Sequence, residues 1–296
     1  MPNARTGSVA TVRPGSAGLL RVCAHVDVGE AVAALAALRV LLVAVLLARS
    51  AELHGLQTLT VVVMADGAGP AAGSARAAQT QAEALGIRPA AAYGVPRDVR
   101  TALGGAVDVH VTGPGTKIDP GSAAVQLAVG PVDADGADPA AAADLFSACS
   151  DDPLAVRLAL MSAAHREAVG LTAGALHAGR DTLRAWRRLA AVWAESPSRP
   201  VPARTARQIG SALASLDTVS ALALLADLAD DRTVPAGARF EAFAYADRVL
   251  GLELARLVGT SCGLARAAAC LDEKGARAEL VLEMPDERAG PSCPRL

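Results

Sequence analysis

The feature that most constrains the fold is a long apolar run, Ala31 to Ala48, between two shorter stretches that read as strands. The stretch before it, Leu20 to Cys23, predicts a short strand, and the stretch after it, Thr58 to Asp66, is rich in β-branched residues and predicts a buried strand. A helix between two strands of one sheet is typical of a parallel crossover. The first half of the chain is therefore predicted to form an open, parallel α/β sheet.

The same apolar run is close to the length that can span a membrane. Arg39 stands near its middle, where a charge is costly in lipid, and much of the run is weakly hydrophobic alanine. We therefore interpret it as a buried helix and expect no membrane association, and a membrane-associated protein that uses this run is the weaker alternative. The N-terminal residues 1–19 contain Gly, Pro and Ser but no apolar run of signal-peptide length, so they predict a flexible leader.

Charge and cysteine content narrow the class of protein further. The 28 basic and 30 acidic residues nearly cancel, so the net charge does not favour nucleic acid over other partners. The five cysteines include no CxxC pair and leave one unpaired, which argues against a disulfide framework and favours a reducing cytoplasm. These cysteines are Cys23, Cys149, Cys262, Cys270 and Cys293.

A change of pattern divides the chain. Ala106 to Gly113 alternates like another strand, and beyond the Gly- and Ala-rich stretch from Gly130 to Ala142 helical spacing takes over. We predict a degenerate Rossmann-like domain over 20–145, a helical bundle over 146–260 and a poorly ordered tail over 261–296. The expected helices run from Pro153 to His165, Thr172 to Glu195, Thr205 to Ala229 and Ala238 to Val258.

Three segments in the second half carry a family resemblance. They are DDPLAVRLALMSAAHREAV (Asp151 to Val169), ASLDTVSALALLADLA (Ala214 to Ala229) and FEAFAYADRVLGLELARL (Phe240 to Leu257). In order and spacing they resemble the helical segments of cysteinyl-tRNA synthetases and of the related mycothiol cysteine ligases. This resemblance implies a class I synthetase core of Rossmann-like type, followed by a helical bundle, that joins cysteine to ATP as an adenylate.

The motifs that such chemistry requires are missing. The HIGH motif of the family supplies histidines, but one alignment of this chain places Asp27 and Glu30 at those positions. The KMSKS loop of the family is rich in lysine, but the corresponding segment, Val132 to Phe146, has no lysine. Of the family's zinc ligands only Cys23 is matched, because the paired histidines become Gly121 and Ser122. We therefore predict a non-catalytic binding or regulatory protein with a small-molecule or protein partner, weak or no tRNA binding and no zinc.

The alternative is a diverged ATP-dependent cysteine ligase or an enzyme that uses aminoacyl-tRNA. In that case the active-site candidates are His25, His110, Lys117 and Ser122, and ATP is the cofactor left open. A GPG turn with Gly113 and Gly115 follows a predicted strand and could approach the backbone of a ligand. No residues are predicted to bind a metal, and Cys23 is interpreted as a small buried side chain.

Overall fold

The computed structural model describes residues 18–26, 31–64, 80–87, 92–94, 99–116, 118, 124–134 and 151–260. It begins with β1 (Leu19–Val26), α1 (Ala31–Leu53) and β2 (Gln57–Met64), which confirms the predicted strand–helix–strand order. The remaining elements are β3 (Ala92–Gly94), α2 (Val99–Ala102), β4 (Val109–Thr112), β5 (Val125–Ala128), β6 (Val132–Ala134), α3 (Leu154–Leu160), β7 (Val169–Leu171), α4 (Ala173–Trp193), α5 (Ala203–Ala214), α6 (Thr218–Asp230) and α7 (Ala236–Leu250).

The main sheet has five strands in the order β3-β2-β1-β4-β5, and every neighbouring pair is parallel. The chain builds outward from β1 through β2 to β3 and then returns to add β4 and β5 on the other side of β1. This is the strand order of a Rossmann-like, doubly wound sheet. The α/β class predicted from the sequence is thus confirmed.

The two faces of β1 differ in chemistry because successive side chains of a strand point to opposite sides. The even-numbered residues Leu20, Val22, Ala24 and Val26 are buried in the main core together with the side chains of α1. The odd-numbered residues Arg21, Cys23 and His25 therefore lie on the other face of the sheet. Because the apolar face of β1 packs against α1, the polar residues of β1 are grouped on the opposite face of the sheet.

Arg39, the charge inside the apolar run, is 1% exposed and is held by backbone oxygens. Its guanidinium donates hydrogen bonds to the carbonyls of Gly130, Pro131, Ala164 and Glu167 at 2.5 to 3.0 Å. These hydrogen bonds thus connect α1 to the segments around β6 and β7.

Among the helices in the described ranges, none combines the length and the hydrophobicity that crossing a membrane requires.

A second, two-stranded parallel sheet pairs β6 with β7. The sequence predicted only helices beyond Ala142, so β7 was missed, because three residues carry too little alternation to indicate a strand. The helix expected from Pro153 to His165 is also shorter and ends at Leu160. The chain then turns and passes into β7.

The helix expected from Thr205 to Ala229 is in fact two helices, α5 and α6. The break lies at Leu216, whose φ of 57° is incompatible with a continuous right-handed helix. The next residue, Asp217, starts α6 because its carboxylate accepts a hydrogen bond from Ser220 N at 3.0 Å. Asp217 is a typical N-cap residue and indicates the start of a helix. The sequence prediction overlooked it because the apolar spacing continues from α5 into α6.

The last described helix, α7, ends earlier than predicted. The sequence suggested a helix as far as Val258, but α7 stops at Leu250 because Gly251 adopts a left-handed conformation with φ of 61°. Within α7, Phe243 is buried edge-to-face against Trp186 and Trp193 of α4, with ring centroids 5.5 and 5.1 Å away. The aromatic segment therefore has one deeply packed ring.

Candidate metal centre

Strand alternation and register bring three chemically related side chains together. Cys23 and His25 are two residues apart on β1 and share one face. On the neighbouring strand β4, His110 pairs in register with Cys23. Because registered residues of adjacent strands point to the same side, His110 lies on this face as well. The sequence separates His110 from the other two residues, but the sheet places them side by side.

The potential ligand atoms are close enough to share one ion. His25 Nε2 lies 2.8 Å from His110 Nδ1 and 3.4 Å from Cys23 Sγ. One ligand atom from each of the three residues lies within 4.8 Å of the other two. Among the described residues, this is the group of histidine, cysteine and acidic side chains whose geometry could hold a metal ion.

Burial fixes the protonation states of the cluster. It lowers the pKa of His25, and it lowers the pKa of His110 to about 4, with a smaller contribution from the neighbouring His25. Both imidazoles are therefore neutral near pH 7, as a metal ligand requires. Burial also raises the pKa of the Cys23 thiol to about 12. The thiol keeps its proton unless a cation at the site displaces it.

The donor set fits zinc. Zn²⁺ is bound by thiolate and imidazole at about 2.3 and 2.0 to 2.1 Å in a tetrahedron, which separates neighbouring ligand atoms by about 3.3 to 3.7 Å. The sulfur–nitrogen distance of 3.4 Å already matches, and the nitrogen–nitrogen distance of 2.8 Å needs to open by about half an ångström.

The surroundings of Cys23 are apolar toward β2 and α2, whereas Gln126 and Thr112 lie on the same face of the sheet beside the two histidines. Cys23 packs in a small core with Val61 and Val63 of β2 and with Val99 and Leu103 at α2. An apolar shell lowers the local dielectric and strengthens the interaction between a cation and its ligands. The same shell excludes the thiol from solvent, so Cys23 is not a typical exposed, reactive cysteine.

The cluster lies at the topological switch point of the sheet, where the strand order reverses direction. The strands that follow β1 in the chain add on one side of it, and β4 and β5 add on the other. His25 on β1 and His110 on β4 stand on the two strands that flank this switch point. In open α/β sheets, ligands bind outside the carboxyl ends of the strands at this place. His25 is the next-to-last residue of β1, so it lies at that end.

The sequence candidates divide into three groups. His25 and His110, named separately, are in direct contact. Lys117 and Ser122 lie outside the described residues. The GPG turn is present, with Thr116 N donating to Gly113 O at 3.4 Å and Gly115 at φ of 77°. A Cβ built on Gly113 would meet Val40 of α1, so this glycine faces the other layer.

Sequence reasoning missed that Cys23 belongs to the same group as the two histidines. One signal was available, since the Cys-x-His spacing on a predicted strand places both side chains on one face. The second signal, that β4 pairs with β1, depends on the topology of the whole sheet. A search of protein-family models and a search of curated proteins both returned no match to this chain.

Proposed function

We propose that this protein binds Zn²⁺ through Cys23, His25 and His110 at the switch point of a Rossmann-like sheet. The observation that carries the proposal is the convergence of one sulfur and two nitrogen donors within 4.8 Å, on the two adjacent strands that flank the switch point of the sheet. The proposal replaces the sequence expectation of no zinc, which considered only the ligand positions of the synthetase family and left out His25 and His110.

Three protein ligands complete three corners of a tetrahedron. Zinc sites with purely structural roles have four protein ligands, whereas sites that exchange ligands keep one position for water or an incoming molecule. Among the described residues, Cys23, His25 and His110 form the complete candidate set. A zinc ion here supplies a positive charge and an exchangeable position, and it would favour a small molecule with a thiolate, carboxylate or other anionic donor.

We retain the proposal that the protein is a binding or regulatory protein and not a ligase. It is supported by the sequence, in which Val132 to Phe146 provides aspartates in place of the lysines that would neutralise pyrophosphate. A diverged ATP-dependent ligase is the competing proposal. Cysteine-dependent exchange of labelled pyrophosphate into ATP separates the two, because a ligase that forms an adenylate catalyses this exchange and a binding protein does not.

Cobalt substitution tests the zinc proposal directly. Titration of the full-length, metal-free protein with Co²⁺ should give intense visible absorption from tetrahedral coordination, together with a thiolate-to-metal charge-transfer band in the near ultraviolet. Both should saturate at one equivalent. The Cys23→Ser variant should lose the charge-transfer band, whereas Cys149→Ser should keep it. A weak octahedral spectrum, or a charge-transfer band that survives Cys23→Ser, would contradict the proposed ligand set.

A further inference from the structure

A second pocket, which shares no residue with the metal centre, is lined almost entirely by charged side chains. Its volume is about 330 Å³, and its lining comprises four arginines, two aspartates and Leu257. This volume falls within the range of sites that hold small molecules. Such sites are usually apolar, so a charged lining indicates a ligand that itself carries charge. Helix α4 provides Arg184, Arg187 and Arg188, and the segment before α3 provides Asp151 and Asp152.

The floor of this pocket is a buried ion pair. Arg187 Nη1 donates to Asp152 Oδ2 at 2.5 Å, and the two residues are only 4% and 6% exposed. Arg187 also donates from Nε and Nη2 to the carbonyl oxygens of Glu253 and Leu252, at 3.1 and 2.7 Å. The backbone after α7 therefore holds the guanidinium, and the guanidinium in turn holds one carboxylate oxygen.

The other carboxylate oxygen of Asp152 is left without a donor. Oδ1 is buried and accepts no hydrogen bond from any residue that the structure describes. Buried carboxylate oxygens are rarely left in this condition, because the loss of hydration is then uncompensated. The oxygen belongs to a lining residue of the pocket. An N–H or O–H group of a bound molecule would satisfy it after a small movement of the side chain, because Oδ1 is closed to solvent in this structure.

The rim carries three arginines, of which Arg184 and Arg256 are in weak ion pairs with described carboxylates. Arg184 lies 3.2 Å from Asp151 and Arg256 lies 3.8 Å from Glu253, and all four side chains are about half exposed, so solvent weakens both pairs. Arg188 is exposed and takes part in no hydrogen bond or ion pair with another described residue. A guanidinium of this kind is suited to paired hydrogen bonds with a carboxylate or a phosphate.

From these observations we infer that the pocket binds a small organic anion that also carries a hydrogen-bond donor. The carboxylate or phosphate of the ligand contacts Arg188 and Arg256 at the rim, and its N–H or O–H group donates to Asp152 Oδ1 at the floor. An inorganic anion without a proton, such as sulfate, can satisfy only the rim, and an uncharged amine or alcohol only the floor. A molecule with both groups satisfies the two ends together.

Calorimetric titration of the full-length protein at low ionic strength tests this inference with three probes. Phosphoethanolamine and β-alanine carry the same ammonium donor with a phosphate or a carboxylate, and sulfate is an anion that has no hydrogen-bond donor near pH 7. At least one of the first two should bind, and whichever binds more tightly identifies the anionic group. It should bind at least about tenfold more tightly than sulfate, the smallest difference expected for a hydrogen bond to a charged group.

Variants assign the binding to this pocket. Arg188→Ala should weaken the tighter probe by about tenfold or more, since the exposed side chain contributes to binding and not to the fold. Arg207→Ala, which removes an exposed arginine from α5, is the matched control and should leave the affinity unchanged. The inference is overturned if neither organic probe binds at millimolar concentration, if both variants behave alike, or if sulfate binds as tightly as the tighter organic probe.

Discussion

His25 Nε2 and His110 Nδ1 lie 2.8 Å apart across two neighbouring parallel strands. Burial keeps both imidazoles neutral near pH 7 because it lowers the pKa of each. In the absence of a cation, the two neutral imidazoles and the thiol form a hydrogen-bonded cluster. When a cation is present, the same three side chains can serve as its ligands. The position of this pair on the strands that flank the switch point gives the protein a defined place at which to bind a ligand.

His110→Ala should lower the affinity for Zn²⁺ by more than about 100-fold. Loss of a residue that only supports a metal ligand commonly costs 10- to 100-fold, and removal of a ligand should cost more. Competition with a chromophoric zinc chelator measures the affinity. The matched control is His177→Ala, which removes an exposed histidine on α4. Equal affinities of the two variants would remove His110 from the ligand set.

Phe243→Ala should lower the free energy of unfolding by about 3 to 5 kcal/mol, the usual loss for a large aromatic core side chain. Phe243 is 1% exposed and contacts both tryptophans of α4. Tyr245→Ala on the same helix is the control, because its side chain is exposed and its loss should change stability by less than about 0.5 kcal/mol. Urea denaturation measures both. Similar losses for the two variants would show that the aromatic segment does not pack as described.

Gly251→Ala should destabilise the protein more than Gly259→Ala. Both glycines have positive φ, 61° and 75°, so an alanine is strained at either position. A Cβ on Gly251 would also overlap Arg49 Nη1 and lie 3.1 Å from Nη2 of the buried Arg157, whereas a Cβ on Gly259 would meet nothing within 4 Å. The difference between the two losses in unfolding free energy therefore includes the cost of displacing the two arginines. It should shrink when Arg49→Ala is added, and an unchanged difference would assign the loss to another cause.

Asp247 should make the folded state less stable as pH rises through the window between its unfolded and folded pKa values. Burial raises the pKa of its carboxyl, against the opposing effect of hydrogen bonds from Leu252 N and Leu254 N. From the unfolded pKa of about 3.9 up to the raised value, the folded state retains a proton that the unfolded chain has released. Wild type should thus lose stability relative to Asp247→Asn as pH rises through this window. Denaturation of both proteins at several pH values measures the difference, and a constant difference would contradict the prediction.

Those parts of the fold that depend on local pattern could be predicted from the sequence. The order of β1, α1 and β2 follows from a long apolar run between β-branched stretches, and the buried stripe of α4 follows from helical spacing. The break at Leu216 was not predicted, because the apolar spacing continues through it and only the local backbone reverses. Strand β7 was too short to show a pattern, and it forms because β6 lies beside it.

Only part of the candidate site could have been predicted from the sequence. Cys23 and His25 share a face by alternation on one strand, and this could have been deduced. Their contact with His110 depends on β4 returning to the side of β1 opposite β2, which is a property of the whole sheet. The buried ion pair between Arg187 and Asp152 likewise joins two separate elements, and neither residue stands out in its own segment.

Zinc content is the most direct test of the central claim. Full-length protein that has been saturated with ZnCl₂ and freed of excess metal by gel filtration should contain one zinc per chain by elemental analysis. A variant with Cys149, Cys262, Cys270 and Cys293 all changed to Ser should retain this zinc, because the proposed site uses Cys23 alone among the cysteines. Cys23→Ser should lose it. Absence of zinc from the wild-type protein, or its retention by Cys23→Ser, would contradict the account.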